Sequence, residues 1–75
     1  MTVEAMGMLH MGELIQQQRI EKEMSQNDLA IRVNVELTRI QKLENGTLVL
    51  SFVKIVRITH VLDIDIRDLA AFYVQ

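Results

Sequence analysis

Seventy-five residues with a 49% hydrophobic content suffice for one small domain around a single core. The absence of cysteine excludes a disulfide framework, a thiolate nucleophile and a cysteine metal site, and His10 and His60 share no ligand spacing, so neither metal nor cofactor is expected. The net charge of −2 is uneven: residues 24–57 carry Arg32, Arg39, Lys42, Lys54 and Arg57 against Asp28, Glu36 and Glu44, a net +2 between two flanks of −2 each, which is a mild basic footprint.

Proline is absent, and apolar residues recur at spacings of three and four, which predicts helices throughout. The opening MTVEAMGMLHMG lacks the basic stretch of a signal peptide. No apolar run reaches the ~18 residues of a membrane span, so a cytoplasmic chain with no membrane partner is expected. Residues 1–11 are expected to form an N-terminal arm, either disordered or adding a helical turn, ahead of a domain over residues 12–75. The first helix is predicted from Gly12 to Glu23, with Leu14, Ile15 and Ile20 turned inward. Ser25 and Asp28 have the spacing of a capping box and open a second helix, Gln26 to Arg32, apolar at Leu29 and Ala30 and at Val33 just beyond. Asn34 tolerates the left-handed conformation that a sharp turn needs.

A third helix, Glu36 to Asn45, turns Ile40 and Leu43 toward a core and stops at Gly46. Leu37, Thr38, Arg39, Gln41 and Lys42 reach outward, and Leu37 is a poor choice for a face that meets only water. Ser51 caps a fourth helix, Phe52 to Leu62, whose polar positions Lys54, Arg57 and His60 form one narrow stripe. The other residues are nearly all apolar, which predicts that most of this helix is buried. A fifth helix runs from Ile66 to about Tyr73. Asp63, Asp65 and Asp68 lack the glycine-bearing pattern of a calcium loop and suit helix capping instead. No nucleophile, base and oxyanion hole come together, so no enzyme is expected.

In combination, SQNDLAIRVNVELTRIQKLENG resembles the helix-turn-helix of the Xre family, the Cro and phage-repressor type, and the likeness extends over about Leu14 to Leu69. Arg19 lies seven residues before Gln26, Ser25-Gln26 opens the second helix, and Leu29-Ala30 packs it. Val35 and Ile40 flank the start of the third helix, Leu43-Glu44-Asn45-Gly46 ends it, and Leu62, Ile64 and Leu69 match the leucine-rich close. The resemblance implies an all-α, compact five-helix lambda-repressor-like DNA-binding domain with its helix-turn-helix at helices 2 and 3. It implies that the helix at 36–45 enters the major groove of double-stranded DNA. Leu37, Thr38, Lys42 and Gln26 would then touch bases, and Arg39, Asn45 and Thr47 would face phosphates. It also implies a partly buried structural ion pair between Arg19 and Glu44.

The function so implied is a sequence-specific transcriptional regulator, a repressor, acting as a homodimer on a two-fold operator with no small-molecule effector. Leu69, Phe72, Tyr73 and Val74 are candidates for the dimer contact, the alternative being that they fold back on the core. The sequence departs from the family at Glu23, Asn34 and Asp63, where glycine is common. A left-handed Glu23 or Asp63 would be strained by about 1 kcal/mol, so those two turns are expected to differ. Glu36 stands where the family has a small polar residue. Its carboxylate suits a helix N-terminus but repels phosphate. With Leu37 and the acidic balance, Glu36 leaves a second reading open: a protein-interaction module or antitoxin-like component on the same scaffold.

Overall fold

Residues 3–70 are described by a computed structural model, with side chains over residues 9–69, and they form α1 (Val3–Glu21), α2 (Gln26–Val33), α3 (Leu37–Glu44), α4 (Phe52–Leu62) and α5 (Ile66–Ala70). Every regular element among them is helical, as the spacing of the apolar residues requires. α1 and α2 both pack on α3 and on α4.

α1 begins well ahead of the expected Gly12 start and takes in most of residues 1–11. Its inward line is Met11, Ile15 and Arg19, spaced by four, with Gly12 beside it. Leu14 is half-buried, and Ile20, expected inside, is 58% exposed. This helix buries a charged arginine and exposes an isoleucine, which breaks its apolar periodicity. Gly12 is placed by sterics. A Cβ there would lie 2.4 Å from the Leu43 carbonyl oxygen and 2.6 Å from that of Glu44, so a glycine lets α1 touch the backbone at the end of α3.

Four helix ends close in the same way. At the end of α1, the Met24 amide donates to the Arg19 carbonyl at 3.1 Å and the Glu23 amide to Ile20 at 2.9 Å. The same two bonds recur at Asn34 and Val35 after α2, at Gly46 and Thr47 after α3, and at Asp63 and Ile64 after α4. This Schellman closure needs one left-handed residue, and φ is 56° at Glu23, 55° at Asn34, 80° at Gly46 and 54° at Asp63. The turns at Glu23 and Asp63 therefore do not differ from the glycine pattern. Two carbonyls are satisfied at each end, and burial of Met24 and partial burial of Ile64 just beyond offset the strain. Lys22 adds an ion pair to Asp63 at 2.6 Å, which holds the Asp63 carboxyl below its usual range, mainly through that hydrogen bond.

Helix starts are equally local. Ser25 Oγ accepts from the Asp28 amide at 2.9 Å, and Asp28 Oδ2 accepts from the Ser25 amide at 3.0 Å, which completes the capping box. Ser51 Oγ accepts from the Lys54 amide at the head of α4. Asp65 Oδ1 accepts from the Arg67 amide at the head of α5.

The core gathers Met11, Ile15, Leu29, Val33, Ile40, Leu43, Leu50, Ile55, Ile58, Leu62 and Leu69, with Met24, Ala30 and Val35 at its margin. Two expectations are corrected here. α4 buries only the line Ile55, Ile58, Thr59 and Leu62, and leaves Phe52, Val53 and Val56 exposed, because the core meets one side of the helix alone. Leu69, a candidate for a dimer contact, is wholly enclosed by this chain's own core and offers no surface to a second copy. Phe72, Tyr73 and Val74 lie outside the described residues.

Candidate nucleic-acid interface

The candidate site is α2, the turn at Asn34–Glu36, and α3. α3 rests its underside, Ile40, Leu43 and Glu44, in the core and leaves Leu37, Thr38, Arg39, Gln41 and Lys42 exposed. Thr38 and Lys42 are one helical turn apart, as are Leu37 and Gln41, so these four side chains share one outer stripe. Gln41 belongs to that stripe by the same spacing, although the resemblance assigned it no role. The signal that identifies it is the i, i+4 step from Leu37.

A buried polar network fixes α3 from below. Glu44 accepts from Arg19 Nε at 2.8 Å on one oxygen and from Arg19 Nη2 at 3.0 Å on the other. Arg19 is 8% exposed and Glu44 5%. Arg19 Nη1 also donates to the Met24 carbonyl at 2.8 Å, so one guanidinium ties the end of α1 to the end of α3. Gln26, at the head of α2, joins this network through Nε2, which donates to Glu44 Oε1 at 3.1 Å. No buried side-chain nitrogen or oxygen among the described residues lacks a partner. That completeness is what makes a buried charge pair tolerable.

The side chains expected at phosphates sit at both ends of α3. Arg39, near its head, lines a surface cleft of about 590 Å³ with Ile31, Val35, Glu36 and Lys54. Lys54 Nζ donates to the Asn34 carbonyl at 3.2 Å, which places its charge at the C-terminus of α2, where the helix dipole favours a cation. Asn45 Oδ1, at the tail, accepts from the Thr47 amide at 3.2 Å and the Thr47 hydroxyl at 2.7 Å. The Asn45 oxygen is thus occupied, and its Nδ2 is left as the outward donor.

Glu36 is the N-cap residue of α3, but its carboxylate makes no capping bond, and its backbone carbonyl accepts from the Arg39 and Ile40 amides instead. The exposed carboxylate at the head of the outer stripe is therefore not consumed by the fold. Among the acidic residues farther on, Asp65 is held by Arg67 through a bidentate contact as short as 2.7 Å. That hydrogen-bonded guanidinium, with the Arg67 amide, lowers the Asp65 carboxyl to about 2.

Among the described residues, no His, Cys, Asp and Glu cluster has the make-up of a metal site, and no helix is long and apolar enough to cross a membrane. No curated protein matches the chain. A family model for the Cro/C1-type HTH DNA-binding domain matches residues 15–75. The match begins at Ile15, within the inward line of α1, and takes in the capping box, the left-handed turn at Asn34 and the Arg19–Glu44 pair. The chain belongs to the Cro/C1-type helix-turn-helix DNA-binding domain family.

Proposed function

We propose that the protein is a sequence-specific regulator of transcription, a repressor acting in the cytoplasm as a homodimer, and that it reads the major groove of its operator with the outer stripe of α3. The observation that supports this reading most directly is the division of α3: one side is locked into the core, and the other offers Leu37, Thr38, Gln41 and Lys42 together. A major groove about 12 Å wide accepts one such helix. Leu37 suits a thymine methyl, Thr38 a methyl or a hydrogen-bond acceptor, and Lys42 the O6 or N7 of guanine. Gln26 contacts the DNA from the head of α2. Arg39, Asn45 and Thr47 meet phosphates, which fix register without reading sequence. For the dimer contact, Phe72, Tyr73 and Val74 remain the proposed residues now that Leu69 is accounted for.

The second reading, a protein-docking module, draws on Ile31 and Val53, apolar side chains that are 71% and 63% exposed. Selection of bound duplexes from a random pool, followed by affinity measurements over a salt series, separates the two. A regulator enriches one motif and loses affinity linearly in log salt as counterions are released. Glu36→Gln then raises non-specific affinity, most at low salt, because one charge facing the phosphates is removed. A protein-docking module enriches nothing, and neither the parent nor Glu36→Gln shows a salt slope.

A further inference from the structure

Gln26 belongs both to the surface of the α2–α3 unit and to the buried network. Its side chain is half-buried, and its Nε2 donates to Glu44 Oε1 at 3.1 Å. The orientation of its amide follows from chemistry. An ionised carboxylate only accepts, so the nitrogen of Gln26 has to face Glu44 and its carbonyl oxygen has to face away. Glu44 cannot turn to suit a different arrangement. Its side chain is 2% exposed, and both of its oxygens are held by Arg19, which the Met24 carbonyl holds in turn. A series of bonds thus runs from the end of α1 through the tail of α3 to the head of α2. It determines which edge of Gln26 points outward: the carbonyl oxygen and the second N–H.

We propose that Glu44 is a positioning residue for DNA recognition, beyond its part in the ion pair with Arg19. It presets the Gln26 amide so that the side chain meets the duplex already oriented. This rests on the DNA reading of α2 and α3 given above. A glutamine free in solvent has to freeze several side-chain torsions on contact, and it samples both orientations of its amide. A preset one does neither, so affinity is gained without a further contact to DNA. The same bond lets the fold sense the site. Any change that moves Glu44 changes how Gln26 presents itself, although Glu44 is enclosed and cannot reach the duplex.

A double-mutant cycle tests this on the intact chain with its selected duplex. Gln26→Met keeps the length of the side chain and removes the amide. Glu44→Asp keeps the charge that Arg19 needs and withdraws the carboxylate from Gln26 by one methylene. Thermal unfolding confirms that each variant is folded before binding is measured. In the parent background Glu44→Asp is expected to lower duplex affinity about fivefold, the worth of one oriented hydrogen bond, and in the Gln26→Met background by less than about twofold. An equal loss in both backgrounds makes Glu44 purely structural and overturns the positioning role, while the DNA reading stands. Absence of salt-dependent binding by the parent overturns both.

Proton exchange at the Gln26 amide in the parent chain gives a second measurement, which decides the matter even where Glu44→Asp does not fold. One of the two Nε2 protons is expected to exchange slowly in the free protein and to stay slow with DNA bound. Two fast protons, or loss of the slow one on binding, overturns the proposal.

Discussion

Gly12 and Leu43 meet backbone to backbone, with room for no more than hydrogen on Gly12: a Cβ would lie 2.4 Å from the Leu43 carbonyl oxygen. Two effects oppose each other when that hydrogen becomes a methyl. Helix propensity alone makes Gly12→Ala stabilising by about 1 kcal/mol. Overpacking against a backbone that cannot give way makes it destabilising by about 1–3 kcal/mol. The contact atom is a main-chain oxygen, so the second effect dominates, and denaturant unfolding should show a lower midpoint at unchanged slope. A raised midpoint means that α1 does not touch α3 at this point.

Arg19→Met should cost about 3–5 kcal/mol, because Glu44 is left charged and enclosed without its partner. The Met24 carbonyl loses its Arg19 donor as well. The double variant Arg19→Met with Glu44→Leu should recover most of that loss, since apolar replacement of a buried pair is often neutral. Unfolding curves for both variants check this. A double variant no more stable than the single one shows that the pair contributes net stability.

Glu23→Gly should stabilise by up to about 0.5 kcal/mol: relief of about 1 kcal/mol of left-handed strain, less the greater freedom of the unfolded chain. Asp63→Gly should gain less, because it gives up the exposed pair with Lys22, which solvent and salt screen. The order of melting temperatures is the test, and a Glu23→Gly variant that melts below the parent contradicts the left-handed assignment.

Lys42→Ala and Arg39→Ala should weaken duplex binding in different ways. A lysine that reaches guanine carries about 1–3 kcal/mol of discrimination, so its loss falls on the operator and spares random DNA. Loss of a phosphate contact weakens all duplexes alike and lowers the salt slope by about one unit. Equal losses on both DNAs for Lys42→Ala, or an unchanged slope for Arg39→Ala, reassign the residue concerned.

Asp65 should titrate near 2 by carbon-detected NMR and move up toward the ordinary carboxylate range in Arg67→Ala, since the Arg67 guanidinium is the main cause of its low value. Because the folded value lies below the unfolded one, the stability this group lends is fully present above about pH 4 and is lost as pH falls toward 2. The stabilities of the parent and Asp65→Asn should therefore converge in that window. A constant difference across it rules out the linkage.

The local signals in the sequence were the legible ones. Ser25 and Asp28 announced a capping box, Gly46 a helix end, and Ile40 and Leu43 a core face, because each depends on neighbours a few residues away. What the sequence hid depends on distant contacts. Ile20 looks like a core residue by its apolar character, and although the resemblance implied a partly buried Arg19–Glu44 pair, the packing is what shows that the inward line of α1 runs through Arg19 and leaves Ile20 outside. Phe52, Val53 and Val56 look buried until the core is seen to reach one side of α4. Glu23 and Asp63 looked too strained for the left-handed turns they make, since the amide donors that close those turns are a property of the folded backbone. At the candidate site, the spacing of Leu37, Thr38 and Lys42 was readable, but the bond from Gln26 to Glu44 joins residues 18 apart and has no local signature.

The tail of α3 is gripped from several sides: Gly12 presses on its last carbonyls, Arg19 holds Glu44, and a Cβ at Gly46 would come within 3.0 Å of the Leu9 backbone. Its head has no such ties, for Glu36 caps it without a side-chain bond, and Leu37, Thr38 and Gln41 lie outside the core. Mutational tolerance is therefore divided along a single short helix. Substitution of the exposed residues at the head should cost the fold little, while replacement of Leu43, Glu44 or Gly46 at the tail should cost it much. A library randomised at Leu37, Thr38 and Gln41 should therefore keep the fold in most of its members.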